Sequence, residues 1–196
     1  MGCGDGRLTG ELAKISDSVL GLDPDQASID KARHLLGNGV RLILGSGESI
    51  PLAENSVDTV VFSLSLHHHP NPEKAIAQAR RVLKEGGRIL VLEPGSGSTI
   101  NRCFRIIHNE DEACDRAAEA VKDCGARLEG QGSFISTWQF DDFEEMVEYL
   151  YSYFDIEPEQ HQVDAMRDIM DGKVNDDPFD IGDSTRWWLL TSASSA

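Results

Sequence analysis

Three glycines at alternate positions near the start of the chain form its first candidate binding segment. Gly2, Gly4 and Gly6 precede Thr9 and a short amphipathic run that ends at Ala13, and this pattern predicts a tight loop that leads into a helix. Because glycine has no Cβ, a ligand can approach the backbone N–H groups of such a loop closely. The alternative is that these are ordinary turn glycines.

Asp23 is the second candidate binding residue. It follows a segment, 18–22, that reads as a short buried strand. It lies about 20 residues after the first glycine, a separation at which a carboxylate can reach ribose hydroxyls. The alternative is a structural role, because Asp23-Pro24-Asp25-Gln26 has the cap, proline and capping-box pattern of a helix start. Both roles are compatible with the sequence.

Three adjacent histidines, His67, His68 and His69, follow a predicted strand at 59–63. Histidine titrates near neutral pH, so His67 or His68 could act as a general base or position a substrate. The alternative is that one of them packs under the loop and bonds to a carbonyl. Consecutive side chains do not converge easily on an ion, and no carboxylate or cysteine lies nearby at ligand spacing. We therefore expect no metal site.

The elements that must position these residues alternate between strands and helices. Strands are predicted at 18–22, 40–44, 59–63 and 88–92, and helices at 24–36 and 71–84. This alternation predicts an α/β protein with a doubly wound, mostly parallel sheet, in which ligands lie at the carboxyl ends of the strands. The segments Ser46-Gly47-Glu48 and Ser63-Leu64 follow strands directly, so both are expected at that edge.

Residues 2–94 resemble the class I S-adenosylmethionine-dependent methyltransferases of the type 11-like group. The resemblance rests on the glycine loop, on Asp23 and on the Arg-Val-Leu-Lys-x-Gly-Gly stretch within 71–94. It implies a Rossmann-like fold with S-adenosyl-L-methionine as cofactor, whose methionine and ribose parts the loop and Asp23 would bind. The expected cofactor-binding residues are Gly2, Cys3, Gly4, Asp5, Gly6, Asp23, Pro24, Ser46, Gly47, Glu48, Ser63 and Leu64.

One position departs from the pattern of that family. The edge after the second predicted strand often reads Gly-Asp-Ala-Glu there, with the Asp on the adenine amino group, whereas this chain has Ser46 in place of the Asp. A serine hydroxyl can still accept the hydrogen bond, but a neutral acceptor contributes about half as much as a charged one.

The resemblance implies methyl transfer to a small-molecule acceptor. A hydroxyl acceptor would need a base, and His67 and His68 are the expected catalytic residues because of their titration range and their place after a strand. Three alternatives stay open. A nicotinamide-dependent oxidoreductase is disfavoured because Arg7 stands where the dinucleotide fingerprint requires its third glycine. A fold relative that uses the decarboxylated cofactor would need further acidic groups near the site. A cofactor-binding module without catalytic activity is the alternative from a different functional class.

Charge and composition restrict the partners. The chain has 196 residues, with 34 acidic and 18 basic side chains and a formal net charge of -16. This charge disfavours nucleic acid and anionic membranes as partners. The sequence has neither a leader segment nor an apolar run near the length of a membrane span, so we expect a cytoplasmic protein. The oligomeric state is not predicted.

We expect one methyltransferase domain over residues 1–196, with a core at 2–140 and 184–192 and a helical insertion at 141–172. The extended segment 127–140 is predicted to pair with the last strand, 186–191. Aromatic residues within the insertion are expected to form core rather than a cofactor site.

The start of the chain carries a further expectation. In the resembling family, a buried first strand precedes the glycine loop and occupies the centre of the sheet, whereas this chain begins at Met1. Loss of that strand would leave two inner strand edges without partners. We therefore expect the chain to be an N-terminally truncated fragment, or a reading frame with a misplaced start.

Overall fold

The computed structural model describes residues 1–95 and 97–191. Residue 192, the last of the predicted core, lies outside the described residues. The helices are α1 (Arg7–Ala13), α2 (Gln26–Leu36), α3 (Pro72–Val82), α4 (Thr99–Ile107), α5 (Asp111–Asp123), α6 (Phe143–Phe154) and α7 (Gln160–Met170). The strands are β1 (Leu20–Asp23), β2 (Arg41–Leu44), β3 (Val57–Ser63), β4 (Leu83–Pro94), β5 (Arg127–Phe140) and β6 (Phe179–Thr191).

The chain divides into two compact units. Unit 1 comprises residues 1–93, 113–131 and the chain from Trp187 onward, and unit 2 comprises 94–112 and 132–186. Each unit has its own apolar core. The core of unit 1 includes Phe62, Ile76 and Val91, and that of unit 2 includes Phe143 and Met166. The predicted division into a core and a 141–172 insertion stays a prediction.

The described strands form two sheets. In the first, β1 and β2 are parallel, with Leu20 opposite Arg41. In the second, the strand order is β3-β4-β6-β5, and β3 and β4 are parallel, with Ser63 opposite Leu92. The order confirms the predicted pairing of the 127–140 segment with the last strand. The carboxyl ends of β1 and β2 lie side by side, as do those of β3 and β4.

Residues 1–3 make one backbone hydrogen bond to each sheet. The Met1 nitrogen donates to the Val61 carbonyl of β3 at 2.8 Å, and the Cys3 N–H donates to the Leu22 carbonyl of β1 at 3.0 Å. These bonds bring the glycine loop to the carboxyl ends of β1 and β3. The expectation that a strand precedes this segment stays a prediction.

The start of α2 differs from the sequence-based interpretation. Asp25 is its N-cap, and its carboxylate accepts from the N–H groups of Ala27 and Ser28 at 3.2 and 2.9 Å. Because the helix begins at Gln26, Pro24 lies outside it and Asp23 does not cap it. The alternative structural role considered for Asp23 as a helix cap is therefore wrong.

Two further boundaries differ from expectation. Helix α3 ends at Val82 rather than at residue 84, and Gly86 and Gly87 lie within β4, which begins at Leu83 rather than at residue 88. Strand β6 begins at Phe179 rather than at Arg186. The part that was not predicted includes Asp183 and Thr185, which are polar but buried on the same face as Phe179. Polar residues on a buried face conceal the alternation by which a strand is recognised in a sequence.

Among the residues that the structure describes, no helix has both the length and the apolar character that a transmembrane helix requires.

Candidate functional site

The glycine loop has the backbone conformation for which glycine is suited. Gly2, Gly4 and Gly6 have φ angles of 60°, 52° and 89°, in the left-handed region that other residues rarely adopt. At Gly6 a Cβ would lie 2.9 Å from Leu36 and 3.0 Å from the Ala32 side chain, so this glycine allows the loop to pack on α2. At Gly4 a Cβ would meet no atom within 4 Å. Gly4 therefore leaves open space where a ligand could approach the backbone.

Asp23 anchors this loop to the carboxyl end of β1. One carboxylate oxygen accepts from the Gly4 N–H at 2.9 Å, and the other accepts from the Asp25 N–H at 3.0 Å. The residue is only 7% exposed. An ionised carboxylate has about four acceptor positions, so two remain for a ligand. Asp23 can thus hold the loop and still accept hydrogen bonds from hydroxyl groups.

Two other residues of the loop have distinct surroundings. Burial, together with the nearby Asp23 carboxylate, raises the pKa of the Cys3 thiol, which therefore stays protonated at neutral pH. Asp5 is exposed and bonds to Arg7 through both the backbone N–H at 3.1 Å and the guanidinium at 3.2 Å. Pro24 is also exposed.

The segment after β2 is held by its own side chains. Ser46 Oγ donates to the Glu48 carboxylate and accepts from the Glu48 N–H at 3.1 Å, and that carboxylate also accepts from the Asn71 N–H at 3.0 Å. Desolvation alone would raise the pKa of Glu48, but these hydrogen bonds outweigh it and lower its pKa. Glu48 is therefore ionised at neutral pH, beside Ser46 at the expected ligand edge.

The chain leaves β3 through a strained residue. Leu64 has a φ of 49°, which is unusual for a residue with a Cβ, and its side chain is 44% exposed. Its N–H donates to the Leu92 carbonyl at 2.8 Å, which continues the pairing of β3 with β4. Strained backbone of this kind is frequent at binding sites. A short 3-10 helix, Leu66–His68, follows.

The three adjacent histidines have different surroundings. His67 is 4% exposed and bonds through Nδ1 to the Glu93 carboxylate, whereas His68 is exposed and packs its ring against that of His67 at 3.9 Å between centroids. The His69 Nδ1 lies 2.9 Å from the Ser65 carbonyl. His69 is thus the histidine that bonds to a carbonyl under the loop. Of His67 and His68, only His68 is exposed to a substrate.

Sequence reasoning missed the functions of His69 and Glu93. The His69 ring lies against the backbone of Gly47 and edge-on to Phe62, so it connects the loops after β2 and β3. Glu93 is 1% exposed, and its second oxygen accepts from the Leu66 N–H at 2.8 Å. The signal that could have indicated Glu93 is its place directly after the predicted strand 88–92.

These contacts bring the predicted binding segments together within unit 1. Asp23 bonds to the glycine loop, His69 lies on Gly47, and a Cβ at Gly2 would lie 2.6 Å from the Ser65 Cβ. All of these segments follow the carboxyl ends of β1, β2 and β3 or precede α1. The arrangement is a set of backbone N–H groups and acceptors at one edge of the strands.

Comparison with known proteins finds a similarity to methyltransferases in the first half of the chain. A family model described as a methyltransferase domain matches residues 1–91. An uncharacterized methyltransferase of Geobacillus sp. is 35% identical over 91 residues, which cover 45% of this chain and 43% of that protein. Residues 1–91 thus match a methyltransferase domain, and the resemblance of this segment to the class I methyltransferase family is confirmed. The chain spans less than half the length of the curated methyltransferases that it matches.

Solved structures extend the likeness beyond the matched segment, as a likeness of fold. A protein of Bacillus halodurans superposes with a TM-score of 0.70 at 19% identity, covering 98% of this chain and 90% of that chain. The cyclase SpnF superposes with a TM-score of 0.63 at 16% identity, covering 99% of this chain and 77% of its own. The α/β, doubly wound and mostly parallel methyltransferase fold is confirmed. Because a cyclase shares it, the fold does not by itself establish the reaction.

Proposed function

We propose that this chain binds S-adenosylmethionine at the carboxyl ends of β1, β2 and β3 and transfers its methyl group to a small-molecule acceptor. The observation that carries the proposal is the hydrogen bond from Gly4 to Asp23, which joins a left-handed glycine loop to a buried carboxylate. The match of residues 1–91 to a methyltransferase domain supports it.

The described residues fit this cofactor. The open space beside Gly4 lets an amino acid moiety approach the loop backbone, and the two remaining acceptor positions of Asp23 suit ribose hydroxyls. The adenine ring would lie at Ser46-Gly47-Glu48, beside Ser63 and Leu64. The Ser46 hydroxyl proton already goes to Glu48, so Ser46 can take part only as an acceptor. That is the role which an adenine amino group requires.

The cofactor supplies a sulfonium-bound methyl group. When bound, it would give up this methyl group to the acceptor's electron pair, and sulfur would keep the pair that it shared with carbon. The chain's part is to hold both reactants in line, which can contribute about 7 to 11 kcal/mol to lowering the barrier. A thiolate or neutral amine acceptor needs little further help. A hydroxyl acceptor must lose a proton, and we assign its uptake to His68 because that imidazole is exposed.

The acceptor is proposed to be a small molecule on grounds of charge. A net charge of -16 would repel the phosphates of a nucleic acid substrate, whereas a neutral or cationic small molecule pays no such penalty. Its chemical class depends on residues outside the matched segment.

Asp23 provides the test of this proposal, and Asp25 provides the matched control. Asp23→Ala should weaken binding of S-adenosylhomocysteine by about 1.5 to 3 kcal/mol, because hydrogen bonds to a charged group are lost. Asp25→Ala, which removes the α2 N-cap two residues away, should lower the melting temperature and leave the affinity unchanged. Calorimetry on the two variants measures the difference. Asp23→Asn keeps one acceptor oxygen and should lie between Asp23→Ala and the wild type.

A thermal-shift panel separates the functional classes. S-adenosylmethionine and S-adenosylhomocysteine should raise the melting temperature, and NAD and NADP should not, because Arg7 replaces the third glycine of the dinucleotide loop. Stabilisation by NAD alone would overturn the proposal. Equal affinities of the Asp23→Ala and Asp25→Ala variants would overturn the role of Asp23.

A further inference from the structure

A cluster of metal-ligating side chains lies behind the exposed edge of the candidate site. His67 follows β3, Glu93 lies near the end of β4 and Cys114 lies on α5, all within unit 1. One imidazole nitrogen, one carboxylate oxygen and the Cys114 sulfur lie within 4.8 Å of one another. His67 and Glu93 are buried, and Cys114, which is not in a disulfide, is partly buried. Three donor atoms of different chemistry thus lie close together.

The convergence of the three donors distinguishes this cluster from a proton relay. In a carboxylate–imidazole–thiol relay, the two outer groups lie at opposite nitrogens of the ring and far from each other. Here the Cys114 sulfur lies within 4.8 Å of the Glu93 carboxylate as well as of the His67 ring. Ligands of a tetrahedral zinc ion lie about 3 to 4 Å apart, given bond lengths of about 2.0 to 2.3 Å. Small side-chain rotations would therefore suffice to close the three donors around an ion.

Charge and local hydrogen bonding also fit a divalent cation. A buried carboxylate is costly unless it is paired or coordinates a metal. One Glu93 oxygen accepts from the Leu66 N–H at 2.8 Å, which fixes the carboxylate and directs its other oxygen toward His67. A carboxylate, a neutral imidazole and a thiolate together carry two negative charges, which a divalent ion neutralises.

We infer that His67, Glu93 and Cys114 form a zinc-binding site. Sulfur, nitrogen and oxygen donors together suit the borderline-soft Zn²⁺ ion, whereas Mg²⁺ and Ca²⁺ prefer oxygen alone. Three protein donors leave the fourth position of a tetrahedral ion for water or another small ligand. Binding displaces the proton of the Cys114 thiol, while the neutral His67 ring keeps its one N–H on the nitrogen that does not face the ion. The site replaces our sequence-based expectation of no metal, and it does not depend on methyl transfer.

Metal content measured on matched cysteine variants tests the inference. The wild-type chain, purified from zinc-supplemented medium, should carry about one zinc per chain. Cys114→Ser should lower the affinity for zinc at least tenfold, because a neutral hydroxyl is a poor zinc ligand. Cys124→Ser is the control, since Cys124 bonds to the Val121 carbonyl and lies outside the cluster. It should keep the wild-type zinc content, and circular dichroism verifies that each variant is folded.

Two further measurements identify the ligands. Cobalt should give the absorption band of a thiolate–Co²⁺ bond in the wild type and in Cys124→Ser but not in Cys114→Ser. A pH-indicator titration should show release of about one proton, from the Cys114 thiol, for each zinc bound at neutral pH. Wild-type protein that holds no zinc and gives no cobalt band would overturn the inference and leave a buried ion pair beside a thiol. Full zinc affinity in Cys114→Ser would overturn it as well.

Discussion

His68 is the exposed imidazole at the carboxyl end of β3, next to a histidine that is buried and held by Glu93. This difference between neighbouring residues determines which of them can meet a substrate. A buried imidazole that already contacts a carboxylate is suited to hold the loop in place. An exposed imidazole can exchange protons with a bound molecule and with water.

At this scale, we predict that His68→Gln slows methyl transfer to a hydroxyl acceptor by about 100-fold or more, because glutamine cannot take up the proton. Its affinity for S-adenosylhomocysteine should not change. His34→Gln is the control, since His34 is an exposed histidine on α2 and should keep the full rate. The rate is followed as release of S-adenosylhomocysteine in a screen of hydroxyl, amine and thiol acceptors. An undiminished rate in His68→Gln with a hydroxyl acceptor would remove His68 from the mechanism.

The serine at position 46 changes which side chain carries the negative charge at this edge. In place of the usual Asp, its hydroxyl donates to Glu48, which receives a further hydrogen bond from the Asn71 N–H at 3.0 Å. The negative charge at this edge therefore lies on Glu48 rather than on residue 46. A ligand amino group at this edge would meet an ionised carboxylate two residues further along the chain.

At the scale of the elements, the glycine loop needs glycine for two different reasons, close packing at one position and backbone conformation at another. Gly6 is required for packing, because a Cβ there would meet α2 at 2.9 Å. Gly4 is required for its backbone angle alone, since the space beside it is open. The second case is the one that a ligand can exploit.

We predict that Gly4→Ala reduces the affinity for S-adenosylhomocysteine at least tenfold, because the new methyl group occupies the space through which the cofactor reaches the loop. Gly86→Ala is the matched control. Gly86 has a φ of 72° and also lies beside open space, so both substitutions should cost about 1 to 2 kcal/mol of backbone strain. Urea unfolding compares the stability of the two variants, and calorimetry compares their affinities. Equal affinities would show that the space beside Gly4 is not used by the cofactor.

Helix starts illustrate which local features determine an element. Asp25 caps α2 with both of its oxygens, and Asn71 caps α3 by accepting from the Lys74 N–H at 2.7 Å. The hydrogen bonds from Ser28 and Ala27 hold the pKa of Asp25 below its ordinary value. A carboxylate whose pKa is lower in the folded than in the unfolded state stabilises the folded state as long as it is ionised. The contribution of this cap to stability is therefore lost as the pH falls through the lowered pKa of Asp25.

At the scale of the whole molecule, the excess of acidic side chains opposes folding. With 34 acidic and 18 basic residues, like charges repel across the surface at low ionic strength. The Debye length falls from about 30 Å at 0.01 M salt to about 8 Å at 0.15 M, so modest salt removes most of this repulsion.

We therefore predict that the melting temperature rises by several degrees between 0.01 M and 0.2 M sodium chloride and changes less above that range. Sodium sulfate at matched ionic strength is the control. Screening depends on ionic strength alone, whereas exclusion of sulfate from the protein surface adds stability mainly at high concentration. Calorimetric melts in both salts provide the measurement. A melting temperature that stays constant or falls over the lower range would contradict the prediction.

The sequence by itself was sufficient for the order and type of most elements in residues 1–94. Helices α2 and α3 and strands β1 to β4 follow from apolar periodicity and from local start and stop residues, which act within a few positions of one another. The same local logic placed the glycine loop, Asp23 and the loop after β3 at the carboxyl ends of strands. Parallel pairing then had to bring those ends to one edge.

Tertiary structure alone decided which side chains meet. Nothing in the sequence distinguishes His67 from His68, yet Glu93, 26 residues later, buries against the first and leaves the second exposed. Cys114 joins that pair from α5. Local patterns cannot contain this information, because burial and convergence depend on the packing of elements that are distant along the chain.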